Sequence, residues 1–101
     1  MSTKYGIREF ENEFGRPTFG QILQSWRLSD ELSLKEMALK LGITPSSLCD
    51  LEKGRRIPSI TRVKKLARIL GVSEKVWIKH VLQDQLDRSN TRYKVHLTNE
   101  D

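Results

Sequence analysis

The chain has 101 residues, a mass of 11.7 kDa, a formal net charge of +5 and a pI near 9.6, with 37% hydrophobic and 31% charged residues. One small domain fills that length, which excludes a two-domain cleft or a barrel around a deep substrate pocket. The composition excludes a disordered chain, and no apolar run approaches the roughly 20 residues that span a bilayer. Met1 to Gly6 lacks the apolar core of a secretion signal, and Cys49, the one cysteine, allows no internal disulfide. These features set the expectation of a soluble, cytoplasmic domain with no membrane partner.

The charge is localised. Lys4, Arg8 and Arg16 balance Glu9, Glu11 and Glu13 at one end, and residues 72–101 are likewise neutral. The excess therefore lies in residues 18–71. Within it, Lys53, Arg55, Arg56, Arg62, Lys64, Lys65 and Arg68 follow one another with no acid between them. A solvated helical face and a phosphate-binding strip both fit such a run. Its confinement to one segment of a near-neutral chain favours the strip.

In chain order, Ile7, Phe10 and Phe14 fall at helical spacing, so Tyr5 to Phe14 reads as a short N-terminal helix broken by Arg16-Pro17. Thr18 caps the next helix, with Phe19, Ile22, Leu23 and Trp26 as its inward face. Ser29-Asp30-Glu31 is a turn. Ser33 and Glu36 form a capping box before Met37, Ala38 and Leu41, and Gly42 ends that helix. Thr44-Pro45 opens the following helix, with Leu48 and Leu51 inward and Gly54 at its close. Arg55 to Pro58 is a linker. Ser59 caps a helix with Val63, Leu66, Ala67 and Leu70 inward, stopped by Gly71. Ser73 caps the last, with Trp77, Val81 and Leu82 as one stripe. Tyr93 to Thr98 alternates apolar and polar residues, which predicts a β-strand. A lone strand has no partner of its own, so it pairs with its copy in a second chain, pairs with another protein, or stays unordered.

Ser33 to Gly54 is the informative segment. Ala38 in one short helix and Gly42 four residues later at the turn have helix-turn-helix spacing. The small Ala38 lets the helices approach, and Ile43, Leu48 and Leu51 lock the second onto the first. The capping box, the Thr-Pro start and the basic stretch after the second helix all agree with this.

Ser33 to Thr44, Leu48, Leu51 to Arg56, Pro58-Ser59 and Leu66 to Ser73 together resemble the Cro/C1 (XRE) helix-turn-helix family. A longer pattern is similar to HigA-type antitoxins: Thr18-Phe19-Gly20, Trp26-Arg27-Leu28, Cys49 to Arg56, Leu82 to Leu86 and Tyr93-Lys94-Val95. The resemblance implies an all-α fold, a five-helix lambda-repressor-like bundle, here with the short N-terminal helix and a C-terminal β-strand tail. It divides the chain into an extension at 1–17, a DNA-binding domain at 18–73, and a candidate dimerisation or partner-binding tail at 74–101. The partner it implies is double-stranded DNA, usually bound by a homodimer on a palindromic operator, and for an antitoxin also a toxin protein. No cofactor and no metal are implied.

The resemblance places the Thr44–Leu51 helix in the major groove. With Leu48 and Leu51 buried, Pro45, Ser46, Cys49 and Asp50 face outward as candidate base contacts. Ser46 exchanges hydrogen bonds, Asp50 accepts from cytosine N4, and Pro45 offers apolar contact to a thymine methyl. Ser33, Thr44, Ser47, Lys53, Arg55, Arg56 and Arg62 are the candidate phosphate contacts. Tyr93, Val95 and Leu97 are the candidate dimer or partner interface. Leu34 stands where many members carry a phosphate-touching Gln. The outward face also lacks the Arg, Asn and Gln of bidentate base contacts, so DNA shape or the Arg55-Arg56 region is expected to add selectivity.

Plainer readings stand beside these. Cys49 has no resolving cysteine and reads as an inert small side chain, while His80 and His96 are too separated for a metal site or a triad. Trp26 and Trp77 read as core. Ser46 and Ser47 are equally good first-turn residues, and Lys64, Lys65 and Arg68 read as a solvated face. No nucleophile–base pair or glycine-rich phosphate loop marks an enzyme, and no second domain is expected that could carry the chemistry of a self-cleaving repressor. Two functional readings remain: a dimeric, sequence-specific repressor that is also an autoregulating antitoxin, or a module whose main work is to bind a toxin.

Overall fold

Side-chain hydroxyls start all five helices among the described residues. Thr18, Ser33, Thr44, Ser59 and Ser73 each accept a hydrogen bond from the backbone N–H three residues on, and each such cap is worth about 1 kcal/mol. The helices they start are α1 (Phe19–Ser29), α2 (Leu34–Leu41), α3 (Pro45–Glu52), α4 (Ile60–Leu70) and α5 (Glu74–Arg88). The computed structural model describes residues 16–90 and 93–98, so the expected helix over Tyr5–Phe14 lies outside the described residues. Two of these starts are reciprocal capping boxes, Ser33 with Glu36 as expected and also Thr18 with Gln21. The Ser33 backbone N–H and hydroxyl hold the Glu36 carboxyl below its ordinary pKa. Gly42 and Gly71 end α2 and α4 at φ of +71°.

Phe19, Leu23, Met37, Ala38, Leu41, Leu48, Leu51, Val63, Leu66, Ala67, Trp77 and Val81 form one buried core. Every helix contributes to it. Trp77 of α5 meets Phe19 of α1 edge to face, ring centres 5.4 Å apart. Trp26 is only half-buried, with the Lys40 ammonium 5.3 Å from its ring centre. α4 packs on α5, and α3 packs on both α1 and α2.

Two expectations for α5 and the segment after it need correction. Leu82 is half-buried, and it is Gln83 that is buried. The Gln83 side-chain amide donates to the Tyr93 carbonyl at 2.9 Å and accepts from the Val95 N–H at 2.8 Å. That is the pair of bonds a neighbouring strand's peptide would make. Accordingly, residues 93–98 form no strand: with no second strand among the described residues, one side-chain amide of α5 takes the neighbour's place.

The start of α1 is anchored to α5. The Phe19 N–H donates to Asp84 Oδ2 at 2.8 Å, and Arg16 bonds Asp84 at 2.7 Å and Asp87 at 2.9 Å. One residue further in, buried Gly20 brings α1 against the end of α3. A Cβ built on Gly20 would lie 2.3 Å from the Leu51 carbonyl oxygen and 2.6 Å from that of Glu52. Both are backbone atoms and cannot rotate away.

Gly20→Ala therefore sets two effects against each other. Removing a helical glycine gains about 1 kcal/mol, whereas forcing a methyl into a closed backbone contact costs about 1–3 kcal/mol or more. The clash wins, and the urea midpoint of the variant is expected to fall. A midpoint equal to or above that of the parent chain would contradict the close approach.

Candidate nucleic-acid interface

Helix α3 is held by its inner side and left open on its outer one. Leu48 and Leu51 are fully buried, and Glu52, one turn after Leu48, is buried with them. Arg27 of α1 reaches Glu52 with two parallel bonds, Nε to Oε2 at 2.7 Å and Nη2 to Oε1 at 3.0 Å. Its remaining nitrogen donates to the Leu32 carbonyl at 3.0 Å. Only 9% of Arg27 and 6% of Glu52 is exposed, so each charge relies on the other rather than on water. The bond to Glu52 raises the Arg27 pKa further, keeping the guanidinium charged.

Sequence reasoning missed this pair, although its signal was present. Arg27 continues the four-residue steps Phe19, Leu23, and Glu52 continues Leu48. Two opposite charges on two inward stripes mark a buried ion pair.

On the outer side, Pro45 and Ser46 are exposed, while Cys49 and Asp50 are partly exposed. The Thr44 hydroxyl accepts from the Ser47 N–H at 3.0 Å, and the Ser47 hydroxyl accepts from Arg62 Nη2 at 3.1 Å. Both hydroxyls keep a proton to donate, so both retain the chemistry of a phosphate contact. The Arg62 bond also ties α4 to the first turn of α3. Ser33 is occupied in its capping box but remains exposed.

Past the end of α3 the chain turns through Gly54 at φ +75°, a backbone that favours glycine. The Arg88 guanidinium donates to the Gly54 carbonyl, tying the end of α5 to this turn. Lys53, Arg55 and Arg56 are all exposed beside it. Arg55 does not stand alone: its Nη1 bonds Asp50 Oδ1 at 2.9 Å, and that bond raises its pKa. The structure thus brings together Thr44, Ser46, Ser47, Cys49, Asp50, Lys53, Arg55, Arg56 and Arg62 around one helix. Tyr93, Val95 and Leu97 belong to the separate segment against α5, with Tyr93 74% exposed and the other two half-buried. Among the described residues, no helix is long and apolar enough to cross a membrane.

A short helix with a rigid inner side, an open outer side and flanking cations is the second helix of a helix-turn-helix. A helix-turn-helix family model matches residues 23–77, and the chain belongs to that family, of Cro/C1 type, whose members are DNA-binding regulators and not enzymes. It is similar to an uncharacterized HTH-type transcriptional regulator of Archaeoglobus fulgidus, 44% identical over 46 residues. It is also similar to multiprotein-bridging factor 1 of Candida albicans, at 40% over 53 residues, and to human endothelial differentiation-related factor 1, at 34% over 53 residues. The matches take in 46%, 52% and 52% of this chain, but only 20%, 35% and 36% of those proteins. No solved structure matches.

Removing one member of a buried ion pair leaves the other uncompensated, at about 3 kcal/mol or more. Arg27→Met is expected to destabilise the chain by that amount in urea unfolding. Arg27→Met combined with Glu52→Leu is expected to recover most of it. A double variant no more stable than the single one would contradict the pairing.

Proposed function

We propose that this protein is a sequence-specific DNA-binding transcriptional regulator that binds a palindromic operator as a homodimer and represses by occupancy. The observation that carries the reading is the outer side of α3: an exposed first turn at Pro45 and Ser46, flanked by the exposed Lys53 and Arg56 and by Arg62. In this reading α3 lies in the major groove, with Pro45, Ser46, Cys49 and Asp50 toward base edges. Ser33, Thr44, Ser47, Lys53, Arg56 and Arg62 meet phosphate oxygens and supply most of the affinity. The name of the Archaeoglobus relative, a transcriptional regulator, agrees with this role.

Residues 18–73 would then carry the DNA surface, and residues 74–101 a subunit interface that uses Tyr93, Val95 and Leu97. Tyr93, 74% exposed, supports that interface. A second role as an autoregulating antitoxin of HigA type fits the same arrangement. Residues 1–17 and 74–101, neutral overall, would hold the toxin, away from the cationic helix end.

Selection from a random duplex pool at near-physiological salt is expected to enrich an inverted repeat, its half-sites about one helical turn apart. Chain lacking residues 91–101 is expected to enrich single half-sites instead. Arg56→Ala and Arg62→Ala should each weaken all sites alike and lower the slope of log affinity against log salt by about 1. Binding that is salt-sensitive but blind to sequence would overturn the regulator reading and leave the toxin-binding module.

A further inference from the structure

Asp50 and Arg55 form a connected unit on the DNA-facing side of the proposed interface. Arg55 lies just past the Gly54 turn, and the backbone N–H groups of Arg55 and Arg56 both donate to the Asp50 carbonyl, at 2.9 and 3.4 Å. The loop is thereby stitched to the last turn of α3. From that fixed base, the Arg55 side chain folds back so that Nη1 donates to Asp50 Oδ1 at 2.9 Å and to Cys49 Sγ at 3.8 Å. Both contacts use the same nitrogen. Nε and Nη2 have no partner among the described residues and keep their donors on one edge of the rigid guanidinium fork.

Resting on the regulator reading above, we propose that the Asp50–Arg55 pair determines specificity by reading one guanine in each half-site through the major groove. Guanine presents O6 and N7 as two adjacent acceptors, and the free edge of Arg55 presents two adjacent donors. A phosphate also accepts from such a fork, and the carboxylate decides between them. Asp50 lies against the same guanidinium, so a phosphate there would meet a like charge at close range, whereas a base edge carries none. The ion pair itself is exposed, 60% on the Arg55 side chain and 30% on Asp50, so it contributes little to folding. Its effect is to hold a long, otherwise freely rotating side chain in one geometry before DNA arrives, which favours binding by reducing the ordering cost. Arg55 is thus the reading residue and Asp50 its positioning residue. This supplies the bidentate donor that Pro45, Ser46 and Cys49 lack.

The test is selection from a random duplex pool with the full chain, with Arg55→Lys and with Asp50→Asn, each first shown by melting to fold as the parent does. The parent is expected to enrich a half-site containing one strongly preferred guanine. In both variants the preference at that position should fall about tenfold, the gain typical of one bidentate contact, and with Arg55→Lys the other positions keep theirs. Arg55→Lys keeps the charge, so its salt slope should match the parent's. An inverted repeat whose guanine preference survives both substitutions, with affinity lowered evenly, would overturn the assignment and make Arg55 a phosphate contact. Absence of any enriched repeat with the parent chain would instead overturn the regulator reading, and the guanine assignment with it.

Discussion

The backbone of α1 touches the end of α3 at Gly20, and the position of the outward helix depends on that contact. With the Leu51 and Glu52 carbonyls 2.3 and 2.6 Å from where a Cβ would be, no larger residue lets the two helices come so near. The nearness in turn lets Arg27, two turns along α1, reach Glu52 with two bonds in a largely buried site. An aligned buried pair tolerates little displacement, because each charge is costly without the other. Glycine sets the distance between the helices, and the ion pair sets their rotation. Leu48 and Leu51 fill the space beneath.

For the interface, the consequence is a helix fixed at several points along its inner side. Arg62 holds its first turn through Ser47, Arg27 its last turn through Glu52, and Arg88 the Gly54 turn beyond. None of these contacts uses Pro45, Ser46 or Cys49. The side chains that would meet DNA are therefore presented by a rigid support, which reduces the ordering cost of binding. Arg16 and Asp84 extend the same logic to the start of α1, fastening it to α5.

Much of this fold was legible in the sequence, because capping and apolar spacing are local. Thr18, Ser33, Thr44, Ser59 and Ser73 announced five helix starts, and the buried positions of α2 and α3 came from period alone. The hidden features needed knowledge of which helix meets which. Gly20 reads as an ordinary helical glycine until α3 is placed against it. Arg27 and Glu52 are 25 residues apart and belong to different stripes, so their pairing exists only in three dimensions. The buried Gln83 similarly replaced Leu82 because its amide meets the backbone of residues 93–95, a contact no periodicity encodes. Asp50 was legible as an outward residue and Arg55 as a linker cation placed to meet phosphate, but their joining depends on the Gly54 turn folding the loop back along α3.

The most direct test of α3 as the DNA-binding element is an amide-shift map of the isotope-labelled chain, titrated with a duplex taken from the random-pool selection. Large changes are expected at Thr44 to Asp50, Lys53 to Arg56 and Arg62, with the Gly20 and Arg27 amides of α1 nearly still. Changes confined to α5 and residues 93–98, with α3 unmoved, would contradict that assignment and place the chain's binding surface on α5 and the segment beside it.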